Sequence, residues 1–165
     1  MTSEEHKLSP RSREGVLSAI GVGFFFVLAG TIFIMTPHLY DSFVTFLRSF
    51  DIVQVPNTQL SFFAPASPDV HTTVYAAVLQ FSIVWSLFQI AFLMLRLVAH
   101  SPLAKKAETL SNVIFWIGAS YLIYSMLNET TTIAIWFAFW SEILMLLGLS
   151  LVIRAMVLAV YRRKH

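Results

Sequence analysis

The chain has 165 residues, of which 57% are apolar and 12% charged, against about 25% charged in an ordinary soluble domain. Its formal net charge is +2, and the basic residues stand at the ends of apolar blocks, which excludes an interleaved nucleic-acid face. Cysteine is absent, which excludes disulfides, thiolate nucleophiles and thiolate metal sites.

Taken in chain order, the first apolar block covers residues 16–36. It is too long for a cleaved leader and has no small-x-small site after it, so it reads as a retained anchor. Ala19, Gly23 and Gly30 lie along it, and such small residues let another helix approach closely. The Phe24–Phe26 run is bulky and is expected to meet lipid or a partner.

A long connection, residues 37–73, follows. Leu39, Tyr40, Phe43, Val44, Phe46, Leu47 and Phe50 recur at helical spacing, with polar residues on the other face. This predicts an amphipathic helix too short to span. The stretch IVQVPNTQLSFFAPASP is apolar for a loop, and its Val53, Leu60, Phe62 and Phe63 are expected to form short extended segments that seek cover. His38 and Asp41 stand near one end of the connection, and Asp69 and His71 near the other. If the ends converge, nitrogen and carboxylate ligands of this type suit zinc or copper. No HxH, HxxxH or HExxH spacing accompanies them, and no other cofactor is implied.

Three further blocks cover residues 74–95, 110–127 and 132–153. Crossing a ~30 Å hydrocarbon layer takes ~20 helical residues. The block at 110–127 is shorter and more polar, so its neighbours are expected to cover it. Four prolines follow a hydroxyl residue, at Ser9-Pro10, Thr36-Pro37, Ser67-Pro68 and Ser101-Pro102. Each pair predicts a helix start, with the hydroxyl capping free N–H groups and proline in the first turn. Asn128-Glu129-Thr130 fits a glycosylation pattern, but its place in a tight turn favours a helix cap.

With four spans, ten basic residues fall on one side and Arg48 alone on the other. That bias predicts cytoplasmic termini in the cell membrane. The expected architecture is all-α, an integral membrane four-helix bundle with an additional amphipathic helix in the outer loop, forming one domain over residues 1–165.

The embedded polar groups are the candidate sites. Glu142 lies in the fourth block, where an ionised carboxylate costs at least a few kcal/mol and normally faces protein or water. Ala134, Ala138, Ser141 and Gly148 form a mostly small stripe beside it, so Glu142 is expected to face a packed seam. Ser82, Ser86 and Gln89 on the second span and Ser120, Tyr121 and Tyr124 on the third are its expected polar neighbours. The bland reading is a neutral carboxyl hydrogen-bonded to Ser86 or a tyrosine; the sharper one is a proton or cation site. No phosphate loop, nucleophile–base pair or intramembrane histidine supports an enzyme. The expected role is a non-catalytic accessory or assembly subunit of a larger membrane complex, or a homo-oligomer. The competing role is a small ion channel or proton-coupled carrier with Glu142 in an oligomeric pathway. Lipids and other membrane subunits, or further copies of the chain, are the expected partners.

Overall fold

A computed structural model describes residues 10–162, and five helices account for most of them. Lys7, Ser9, Arg163 and Lys164, used in the readings above, lie outside the described residues. The elements run α1 (Pro10–Met35), α2 (Leu39–Arg48), β1 (Phe50–Gln54), β2 (Ser61–Pro65), a 3₁₀ turn (Pro68–Val70), α3 (Thr72–Val98), α4 (Leu103–Met126) and α5 (Ile133–Arg162). Three stretches have the length and apolarity to cross a membrane: Glu14–Met35, Thr72–Val98 and Ile133–Val160. At 24 residues, α4 is about 36 Å long, but its polar residues set it apart from the other three.

The long helices lie side by side in chain order. α1 packs on α3, α3 on α4 and α4 on α5, with no comparable run of packing joining α1 or α3 to α5. Each neighbouring pair is antiparallel. Glu14 of α1 sits by Arg96 and Phe24 by Phe88; Ser86 meets Ser120, and Arg96 meets Thr109. The result is an open row of helices, where the hydrophobic pattern alone led to the expectation of a closed bundle. α5 is left with one face uncovered.

The larger residues of α5 lie on the face that meets α4 and, at Trp136, the cap. Trp136, Phe139 and Ser150 are buried, and Ile143, Leu146 and Ile153 half-buried. The spacing i, i+3, i+7, i+10, i+14, i+17 is one continuous helix face. Room for this face comes from α4: a Cβ on Gly118 would stand 2.7 Å from both Cδ atoms of Leu146. The same logic holds on α1, where Leu17 and Leu28 are buried while Ala19, Gly23 and Gly30 are exposed. Phe24 stacks on Phe88 with ring centroids 4.0 Å apart, so it packs inward on α3.

At the end away from the termini, the connection folds into a cap. α2 is amphipathic as expected, and β1 pairs antiparallel with β2, Val53 opposite Phe62. The apolar stretch thus forms a hairpin, its strands being the short extended segments expected there. Ala64, Tyr75 and Trp136 form a buried cluster, with Phe46, Phe50, Val53, Leu127 and Phe137 against it. The Tyr75 hydroxyl donates to the Pro68 carbonyl at 2.8 Å, which satisfies its polar end within the cluster.

The starts of α2, the 3₁₀ turn, α3 and α4 follow the proline punctuation loosely, and hydroxyl capping is not their cause. The residues before α2, the 3₁₀ turn, α3 and α4 make no side-chain cap hydrogen bond. Thr36 instead continues α1 by donating its N–H to Ile32, and His38 turns the chain at φ 55°. The hydroxyl that does support a helix start is Thr132, whose Oγ1 accepts from the Ile135 N–H at 3.3 Å. In the preceding turn, the Asn128 carboxamide oxygen accepts from the N–H and hydroxyl of Thr130. Fully buried Thr131 donates to the Met126 and Asn128 carbonyls. The tight link thus holds by local side-chain turns.

Candidate functional site

The serine hydroxyls where α3 meets α4 are consumed locally. Ser82 donates to the Leu79 carbonyl at 2.9 Å, and Ser86 to the Ser82 carbonyl at 2.7 Å. Ser120 donates to the Trp116 carbonyl at 2.8 Å, and its oxygen stands 3.4 Å from that of Ser86. This is a satisfied seam, with hydroxyls returned to their own helices. On the other side of α4, Ser111 donates to the Ser150 carbonyl at 2.8 Å.

Glu142 takes no part in it. Its side chain is exposed, in a groove of about 480 Å³ between α4 and α5 lined by Gly118, Tyr121, Leu122, Met145 and Leu146. Among the described residues it has no hydrogen bond and no ion pair. The expected bond to Ser86 or a tyrosine is therefore not made: Ser86 is committed to the α3–α4 seam, and Tyr121, though it lines the same groove, makes no hydrogen bond to Glu142. Ala134, Ala138, Ser141 and Gly148 are exposed alongside Glu142. The small stripe belongs to the outward face, because the larger residues gain more contact in the seam. Glu142 lies nine residues into α5, about 14 Å along its axis.

The four candidate metal ligands stay in two pairs. His38 Nδ1 lies 3.9 Å from Asp41 Oδ2, and both side chains are largely exposed. His71 is buried at the cap, its ring edge-on to Phe46 at 5.1 Å and its Nε2 without a partner. Burial pushes the His71 imidazole below its ordinary pKa, and the Asp69 carboxylate opposes that shift. No group of three or more His, Cys, Asp or Glu side chains suited to a metal forms among the described residues. The four residues expected to converge therefore do not assemble into a metal-binding group among the described residues.

A second polar group lies at the opposite end of the row, and the sequence reading counted only its charge. Arg96 of α3 is 6% exposed. One terminal nitrogen donates to the Thr109 hydroxyl at 2.6 Å and the Lys105 carbonyl at 2.9 Å; the other is 3.7 Å from Glu14 Oε2. The guanidinium also lies over the Phe92 ring at 4.8 Å. Opposite charges at the same end of two neighbouring apolar helices were the available signal. Arg96 ties α1, α3 and the start of α4 together.

Searches against protein-family models, curated proteins and solved structures find no match to this chain.

Proposed function

We propose that this chain crosses the cell membrane four times, with both termini in the cytoplasm, and serves as a non-catalytic accessory subunit of a larger membrane assembly. The ten-to-one distribution of basic residues supports that orientation. α4 counts as a span by virtue of its neighbours: Thr109 and Ser111 are buried against α3 and α5, so its polarity is turned inward along much of its length.

One observation carries the role. Glu142 stands on the open face of α5, without a partner among the described residues, beside a stripe of small residues. A carboxyl at this depth is unfavourable against lipid, and small residues admit a second helix at close range. An approaching helix from another subunit, or from a second copy, satisfies both features. The cap adds to this surface, since Ile52, Leu60, Phe62 and Phe63 of the hairpin are 56–76% exposed.

The test is the native size of the assembly in mild detergent, with wild type compared to Glu142→Gln and Glu142→Leu. Dissociation of Glu142→Leu from its partner supports docking. Full assembly of both variants sinks it. The carrier reading rests on the groove that Glu142 shares with Tyr121. It is favoured if Glu142→Gln assembles normally yet abolishes proton or cation flux in liposomes.

A further inference from the structure

A groove of about 440 Å³ opens between α1, α3 and α4, near the Arg96 end of the row. This is the size range of small-molecule sites. Its wall is an aromatic ladder on α3: Trp85 stacks on Phe88 at 5.3 Å, and Phe88 on Phe92 at 5.4 Å, with interplanar angles of 26° and 20°. Phe25 of α1 meets Trp85 edge-on at 5.5 Å. Such a surface suits a flat or chain-like apolar body.

Gln89 gives the groove its polar point. The side chain lines the groove, the residue is 7% exposed, and its amide makes no hydrogen bond to any described residue. The amide is not sealed inside the protein, so its polar atoms are open to a group that enters the groove. Its serine neighbours one and two turns away, Ser86 and Ser82, are both satisfied, so of these three side chains only Gln89 keeps an open valence.

The charges nearby settle what kind of head group fits. Arg96 faces Glu14 at 3.7 Å, and Lys105 faces Glu108 at 3.0 Å. The two charged residues that line the groove, Arg96 and Glu108, each already face an opposite charge, so a charged head would meet no free counter-charge on its wall. A carboxamide offers one acceptor and two N–H donors, which match a hydroxyl or a carbonyl. We propose that this groove binds an uncharged amphiphile, with a carbonyl or hydroxyl head on Gln89 and an apolar body along Trp85, Phe88 and Phe92. That chemistry has two sources, a quinone-type ring or a neutral glycerol ester.

The test uses the full chain in phosphatidylcholine nanodiscs and follows its thermal unfolding with three probes. These are decylubiquinone, glycerol monolaurate and laurate. A ligand of the native state raises the unfolding midpoint saturably. The expected result is a saturable rise with one or both neutral probes and none with laurate; which neutral probe acts identifies the source. Gln89→Leu should need about tenfold more of that probe, the scale of one lost hydrogen bond. The proposal is overturned if neither neutral probe gives a saturable rise, if laurate matches them, or if Gln89→Leu responds like wild type. Should Gln89→Leu not fold, Asn112→Leu on the α4 wall replaces it: Asn112 is exposed and lines the same groove. Severalfold weakening is then expected, and an unchanged response overturns the proposal.

Discussion

The seam between α3 and α4 and the outer face of α5 both carry small and polar residues, yet they are opposite in state. In the seam each hydroxyl has an acceptor close by, and Ser86 and Ser120 sit 3.4 Å apart across the helices. On α5 the small residues and Glu142 face outward; Ser141 returns its hydroxyl to the Phe137 carbonyl, and Glu142 has no polar partner among the described residues. The difference is one of partners and not of composition. Small residues mark a place where a helix can approach, and do not say whether that helix is in the same chain.

The largest effect tests the closed side. Replacing Arg96 with Met leaves Glu14 without its cation and Thr109 without its donor. Breaking a mostly buried pair in this way costs about 3 kcal/mol, read as a fall in the unfolding midpoint in detergent. The double variant Glu14→Leu, Arg96→Met should recover most of that loss, because no charge then remains uncompensated. If the double variant is no better than the single one, the pair is not what joins α1 to α3.

Two glycines give the sharpest contrast. Gly118→Ile would drive its side chain into Leu146 and cost about 2 kcal/mol. A Cβ on Gly148 meets nothing within 4 Å, so Gly148→Ile should move the stability of the single chain by less than about 0.5 kcal/mol. Its effect should fall on assembly, as for Glu142→Leu, whose own change in single-chain stability should be equally small. Comparable destabilisation by both glycine variants would erase the distinction between seam and open face.

Much of this was legible in the sequence. Apolar block lengths mark α1, α3 and α5, and the periodicity of residues 39–50 marks α2. The inverted seam of α5 was not, because periodicity separates two faces without saying which one meets the next helix. The deciding residue, Gly118, lies on a different helix. Helix caps were misread for a related reason: a hydroxyl before proline is competent to cap, but backbone geometry at His38 and Pro102 places the helix start beyond its reach. The Glu14–Arg96 contact and the unpartnered Gln89 depend on which helices are neighbours, information that no local window holds.

The smallest effect concerns the cap, where the closed cluster meets the exposed hairpin. His71 is buried against Phe46, and that burial lowers its pKa from the ordinary 6.5 or so. The unfolded chain therefore binds a proton more readily than the folded one. The stabilisation from keeping His71 neutral is complete above about pH 6.5 and declines as pH falls toward the lowered folded value. The unfolding midpoint should drop between pH 7 and pH 5, and His71→Leu should flatten that slope. Asp69 works against the shift, so Asp69→Asn should make the slope steeper. A slope unchanged in His71→Leu would mean that the cap opens readily enough for the imidazole to titrate as in water. The closed cluster around Trp136 would then resemble the exposed hairpin in stability, despite its packing.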